Sequence, residues 1–492
     1  MVMQEQEEDG DWVRRSARML FEESPNPRMN KIGYEPEEKE AKFESGKVFF
    51  GWSIASSKEL EQLKKKARRR TKTENDAKKA ALRKLKKNIR KRSVEDGQPF
   101  YLDRSSPDVA FIGGERGSGK SFILRAMTNR SAKTDVKHIY IDIENEYYSN
   151  NVEDGIQKRL MTLRDAEERQ NIKTKVLMPE FVYQARKQKS MPERGYQYMD
   201  RFKFGFDILD ADDIDFLLRE KFGDHPDIDN FGSEMERVLE EEGFESWQQI
   251  KDVAERMSEQ GDFDYHRRDN QIQSYIKNNY EKWDFLGADK KVDLAEIFNG
   301  NEDEYDEDEE IPEEDKGYDA IALVLHGGGA IPSKLKMKEL YVAFLIKRLR
   351  NLKERGKISQ GIRFSVDEAH NFIPAHTEPD FPPSKKQIRQ VIKQDRKRQF
   401  SLNMATQEPG DVQSKNFLSQ SRHLFIPQNM RPRPRKHLLK EGDLYKSGDM
   451  QRNKWSYVFD PMDRFQWFVA NIEKGEWHVV EPASPLANHR TS

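Results

Sequence analysis

Cysteine is absent from all 492 residues. That excludes disulfides, thiolate metal sites and cysteine nucleophiles, and it accords with an expected cytoplasmic setting. Long apolar runs are missing as well. None reaches ten residues, whereas a bilayer-spanning helix needs about twenty, so no membrane segment is expected. The opening stretch MVMQEQEEDGDW lacks the cationic and apolar regions of a signal peptide. There is little net charge of either sign, 86 basic against 88 acidic residues, so bulk charge does not select a nucleic-acid partner. Apolar residues are scarce at 35%, no more than the 35% that are charged, so part of the chain is solvated rather than packed.

The charges come in blocks. Residues 61–95 carry 16 Lys or Arg against 4 Asp or Glu, and residues 302–315 are almost wholly acidic. Residues 1–100 therefore read as a charged extension, largely helical or disordered, with one solvent-exposed helix over Lys58–Arg92. From Asp108 the texture changes. Short apolar runs (Val109–Ile112, Ile139–Ile143, Ala320–Leu325, Ile362–Val366, Leu402–Ala405, Leu424–Ile426) alternate with helical patterns such as Met337–Lys353. That is the rhythm of a parallel sheet covered by helices.

The expected fold is α/β. Residues 101–150 form the first part of the principal domain, and 151–317 a helical insertion ending in the acidic loop. Residues 318–492 form the second part. In the insertion, Asp212–Glu220, Ser233–Glu241, Ser246–Ser258 and Asn270–Trp283 read as helices. Near the end, Trp455–Phe459, Gln466–Ala470 and Trp477–Val480 read as strands of a small separate sheet.

The most specific motif is Gly114-Glu115-Arg116-Gly117-Ser118-Gly119-Lys120-Ser121, followed by Phe122. It fits the phosphate-loop pattern G-x-x-x-x-G-K-[ST] at every fixed position, between an expected strand and an expected helix. Gly117 and Gly119 let backbone N–H groups turn inward around a phosphate chain, and the helix N-terminus adds partial positive charge. Lys120 can bridge the β- and γ-phosphates of ATP, and Ser121 can hold Mg²⁺.

A second constellation ends the strand Ile362–Val366 in Asp367 and Glu368. Asp367 is the expected Mg²⁺-side carboxylate, and Glu368 the base that orients and deprotonates water. His370 and Asn371 follow; His370 reads as a hydrogen-bonded structural residue.

With these motifs in place the sequence resembles the HerA/FtsK-type P-loop ATPases from about Tyr101 to Pro482. Besides the two motifs above, Ile141-Asp142 to Glu146-Tyr147 is similar to that family's strand ending in D-x-x-x-E-Y. Val366 to Pro374 is close to its D-E-A-H-N-F-x-P. Ile392 to Lys397 followed by Met404-Ala-Thr-Gln407-Glu-Pro409 is similar to its G-R-K helix and A-T-Q-x-P strand end. The resemblance implies a RecA-like fold and a homo-oligomeric, hexameric ring threaded by double-stranded DNA. It also implies a trans-acting finger in Arg396, a polar sensor in Gln407 and a nucleotide-side acid in Glu146.

The alternatives for these three residues are a surface arginine (with Arg398 or Arg389 as the finger), a strand-end cap and a solvated turn acid. Two departures stand out. Asp395 occupies a glycine position of the family pattern, and the first hundred residues lack the strands of the family's N-terminal β-barrel. They leave DNA end processing, viral packaging and plasmid transfer all open. A nuclease or a viral or plasmid partner would then meet the N-terminal extension.

Two basic segments are candidates for duplex contact. Lys385, Lys386 and Arg389 follow a proline-rich loop and are expected to face a ring pore; Lys64–Arg92 is the rival. For both, the alternative is a solvated charged face. The competing functions are a nucleotide-gated assembly or scaffold ATPase, and a motor acting on protein or RNA.

Overall fold

The computed structural model describes residues 47–92, 96–103, 107–131, 136–143, 173–189, 199–264, 267–287, 289, 291–300, 312, 315–327, 336–375, 382–412, 417–418, 420–442, 444, 455–464 and 466–482. In chain order the elements are β1 (Lys47–Ser56), α1 (Ser57–Arg68), α2 (Glu74–Lys91), β2 (Gln98–Asp103), β3 (Val109–Gly113), α3 (Lys120–Ser131), β4 (Val136–Asp142), β5 (Thr174–Pro179) and α4 (Glu180–Gln188). There follow β6 (Met199–Phe202), α5 (Ala211–Phe222), α6 (Pro226–Glu241), α7 (Trp247–Gln260), α8 (Arg268–Ile276), α9 (Leu294–Asn299), β7 (Ala320–Val324) and α10 (Met337–Glu354). The last are β8 (Gly361–Val366), α11 (Pro383–Lys393), β9 (Phe400–Thr406), β10 (His423–Pro427), α12 (Pro432–Glu441), α13 (Ser456–Phe459), β11 (Trp467–Asn471) and β12 (Glu476–Pro482).

Among the described residues one sheet of 12 strands runs in the order β2-β1-β12-β11-β10-β3-β9-β8-β4-β7-β5-β6. From β10 to β6 every pairing is parallel, and from β10 back to β2 every pairing is antiparallel. The central strands β3, β7, β8, β9 and β10 are buried at every residue, which is why β3 and β7 read as unbroken apolar runs, while the polar groups inside β8 and β9 are paired, Arg363 with Asp108 and Asn403 with Ser365. The strand β3 that enters the phosphate loop is separated by β9 from β8, which carries Asp367 and Glu368. With β10 and β4 outside them, β10-β3-β9-β8-β4 is the RecA-like order, and the chain has that mixed α/β fold.

Three sequence expectations need correction. The 1–100 extension contains strand β1, whose partner β12 lies more than 400 residues away, and β2 follows at Gln98. The basic stretch is two capped helices, α1 and α2, whose spaced apolar residues Leu60, Leu63, Ala81, Leu82, Leu85 and Ile89 are buried in the common core. They are not one solvated helix, because apolar side chains at helical spacing make a stripe that must be covered.

The insertion is not purely helical: β5 and β6 extend the parallel edge of the sheet. Its helices do form, with capping boxes at Asp210 and Ser246. Near the end of the chain, Ser456–Phe459 is a helix, and Trp467–Asn471 and Glu476–Pro482 join the main sheet instead of forming a separate one. Residues 1–46 and nearly all of the acidic run lie outside the described residues.

Candidate nucleotide site

The site gathers at the C-terminal ends of three adjacent parallel strands, the usual place for ligands in an open α/β sheet. β3 runs into the loop Gly114–Gly119, and α3 begins at Lys120. Gly117 (φ +73°) and Gly119 (φ +88°) adopt the left-handed conformation that the loop needs and side chains resist. At Gly114 a Cβ would stand 2.3 Å from the Ser118 hydroxyl and 3.0 Å from Lys120 Cγ, so the closeness of the loop itself demands glycine.

Lys120 is 6% exposed, and its ammonium lies 3.5 Å from the Glu368 carboxylate. The Ser121 hydroxyl donates to Asp367 at 2.8 Å. Asp367 is pushed up to about 6, chiefly by burial and then by the Glu368 charge, while Lys120 and Ser121 pull the other way.

Glu368 is the one strained residue of this group. Its backbone is left-handed (φ +46°, ψ +52°), which costs a non-glycine residue about 1–2 kcal/mol. Asn371 holds the turn: its backbone N–H and its Nδ2 both donate to the Glu368 carbonyl at 3.0 Å. The carboxylate is also fixed. Gln407, just past the end of β9, donates to it from its side-chain Nε2 and from its backbone N–H at 3.3 Å. His370 Nδ1 stands 3.5 Å from the same carboxylate and 3.4 Å from the Thr406 hydroxyl. The sequence marks Gln407 as a polar sensor but not its grip on Glu368, and it assigns Asn371 no role. The signal was its position three residues after Glu368.

The remaining candidates fall as follows. Glu115 accepts from the Arg431 backbone N–H and lies 2.9 Å from the Arg431 guanidinium, tying the phosphate loop to the start of α12. Arg116 is exposed and Phe122 partly buried. Glu146 and the Arg396 side chain lie outside the described residues; the Arg396 backbone lies in a single 3-10 turn, Asp395–Arg398.

Asp395 is fully buried and pairs with Arg350 at 2.9 Å and Arg398 at 2.6 Å. Arg398, which also pairs with Glu354, is thus held within its own chain. Lys385 does not line an open surface. It is fully buried, with its ammonium donating to the Pro374 carbonyl at 2.9 Å. Lys386 pairs with Asp212 on α5, and Arg389 is partly buried on α11. α11 packs this basic segment inward, against α10 and β9.

The residues present fit a nucleoside triphosphate with Mg²⁺. Among the described residues the Ser118 hydroxyl, buried inside the cradle, has no hydrogen-bond partner, so the cradle presents a donor to a bound phosphate. The Ser121–Asp367 pair offers two oxygen ligands at the loop's mouth, and Mg²⁺ takes oxygen ligands.

The chain matches no family profile and no curated protein sequence. Among solved structures it is similar to VirB4 of Thermoanaerobacter pseudethanolicus, with 12% identity, 80% of this chain and 92% of that one covered, and a TM-score of 0.49. It is similar to the bacterial conjugative coupling protein TrwBΔN70, with 10% identity, 83% and 95% covered, and a TM-score of 0.46. It is also similar to B204, the DNA-packaging ATPase from Sulfolobus turreted icosahedral virus, with 10% identity, 76% and 97% covered, and a TM-score of 0.32. Among the described residues no helix is long and apolar enough to cross a membrane.

Proposed function

We propose that this P-loop NTPase, RecA-like by its own strand order, is an ATP-hydrolysing ring motor that moves double-stranded DNA, of the HerA/FtsK type. The observation that carries hydrolysis is Glu368: a carboxylate held at the cradle's edge by Gln407, beside a buried Asp367–Ser121 pair. A protein that only bound nucleotide would not need that second acid in a strained conformation.

In this reading Gly114–Gly119 and the start of α3 wrap the phosphates, and Lys120 neutralises the β- and γ-oxygens. Ser121 and Asp367 would hold Mg²⁺, which when bound supplies further charge neutralisation on the phosphates. Bound phosphate competes with Glu368 for the Lys120 ammonium, which leaves the carboxylate free to accept the proton of the attacking water. The new P–O bond forms at the γ-phosphorus, and the bond to the β–γ bridging oxygen breaks. Gln407 keeps Glu368 aimed as this happens. Arg396 is the proposed finger that completes the site of a neighbouring subunit; of the two alternatives, Arg398 is already committed within its own chain.

The test is the steady-state ATPase rate with and without duplex DNA, beside particle images that report ring order. A DNA-stimulated rate from a ring supports the motor. Slow turnover indifferent to DNA selects instead a nucleotide-gated assembly ATPase.

A further inference from the structure

We infer that the α1–α2 hairpin is a contact surface for duplex DNA, one that grips the phosphate backbone away from the nucleotide site. Packing splits this hairpin cleanly by chemistry. Its apolar stripe is buried, and on the opposite side of α2 Lys79, Arg83, Lys87 and Arg90 are all exposed. Their spacing of i, i+4, i+8 and i+11 sets them within about 80° of one another, in a row about 16 Å long. None of the four has an ion-pair partner among the described residues. The turn between the helices adds exposed Arg69 and Lys72.

The hairpin's own acids are occupied elsewhere. Glu59 accepts from Asn88 and Arg92, Glu61 pairs with Lys64, and Glu74 pairs with Arg68 and Lys78. Asp76 accepts from the Thr73 hydroxyl at the start of α2. In a chain of net charge −2, the four cations of the row are therefore concentrated without an ion-pair partner among the described residues.

What the surface lacks identifies the partner. Residues 57–92 contain no aromatic side chain, so unpaired bases have nothing to stack on. The apolar stripe is inside the protein, so the hairpin has none to insert into a bilayer. A protein partner would want aromatic or aliphatic anchors at the centre of its footprint, and the exposed row offers none. A row of point charges on a rigid helix suits a regular line of phosphates, and duplex DNA presents one charge per about 1.7 Å of its axis.

The hairpin leaves β1 at Ser56 and rejoins the sheet at Gln98. The strand registers put both at the end of the sheet opposite the nucleotide cradle. Occupying this surface therefore leaves the site open.

The inference shares with the motor reading its choice of duplex DNA as partner, so the test reads binding without ATP. A labelled duplex is titrated with the full chain and with the variant Lys79→Gln/Arg83→Gln/Lys87→Gln/Arg90→Gln, at KCl from 50 to 200 mM. Each lost phosphate contact lowers the slope of log affinity against log salt by about 0.9. Four contacts lower it by about 3.6, so over this range the wild type should lose about 150-fold more affinity than the variant. The variant should keep its melting temperature and its basal ATPase.

A variant with wild-type slope and affinity overturns the inference, and so does a wild type that binds no duplex at 50 mM KCl. Polyglutamate displacing the duplex at equal charge concentration would assign the surface to acidic protein instead, and would overturn it too. DNA-stimulated ATPase that survives in the variant leaves the motor standing without this surface. Lost binding by the variant, in a protein whose ATPase ignores DNA, leaves the surface standing without the motor.

Discussion

Replacing Asp395 tests whether a buried acid between two arginines is a structural residue. Asp395 is fully buried and sits between two arginines. Arg398 donates to it at 2.6 Å but is 39% exposed, so losing that pair costs at most about 1 kcal/mol. Arg350 is 18% exposed, and its Nε lies 2.9 Å from the second carboxylate oxygen without hydrogen-bond alignment. It keeps its donation to Gln387 and Gln390 but would lose its counter-charge in a mostly dry setting. Stranding a fully buried charge costs about 3–5 kcal/mol, so a partly exposed one should cost about 1–2 kcal/mol.

The sum for Asp395→Asn is about 1–3 kcal/mol, which urea unfolding of the nucleotide-free protein would read as a lower midpoint at unchanged slope. Asp395→Gly should be at least as damaging, because it strands the same arginines and frees the backbone beside Arg396. A change below about 0.5 kcal/mol in both variants would refute the argument, because it would mean that both arginines find water or other partners at no cost.

Lys120→Ala should abolish nucleotide binding in an equilibrium titration, because it removes the buried cation facing the phosphates. Glu368→Gln should bind ATP normally and turn over at least about 100-fold more slowly; wild-type turnover would remove Glu368 from the chemistry. Gln407→Ala should lower kcat by about tenfold with KM little changed, since it loosens Glu368 without touching the phosphates; a rise in KM alone would make Gln407 a nucleotide ligand. Mixing Arg396→Ala with Glu368→Gln subunits should restore some activity if the arginine acts in trans, and mixtures no better than Arg396→Ala alone would refute that.

His478, whose Nδ1 is 2.9 Å from the Ser53 hydroxyl where β12 meets β1, is lowered from 6.5 to about 4, mainly by burial and further by Lys58. Because its folded value lies below its unfolded one, its stabilisation is complete above about pH 6.5 and is lost as pH falls to about 4. After allowance for partial exposure the loss is about 2 kcal/mol. His478→Gln should flatten the stability profile in that window.

Sequence alone determined what depends on neighbours along the chain. Gly114 to Ser121 must form a phosphate loop because its glycines and lysine act at fixed short spacings. The run at Val109 must be a strand buried on both faces because nothing polar interrupts it, whereas the runs at Ile362 and Leu402 carry Arg363, Ser365 and Asn403, whose burial the sequence did not announce. The helices of the insertion begin near their caps for the same local reason.

Tertiary structure decided what depends on residues far apart. Lys47–Ser56 is a strand because Glu476–Pro482 lies beside it. Thr174–Pro179 and Met199–Phe202 join the sheet because β7 offers a free parallel edge. The ammonium of Lys385 is inside because α11 turns it to the Pro374 carbonyl, while Lys79 to Arg90 are outside because their helix buries its other face. A charged side chain carries no record in its own letter of which side of a helix will be covered. That is set by the apolar stripe and by the surface it finds, and the free energy of covering that stripe is shared among residues that only the fold brings together.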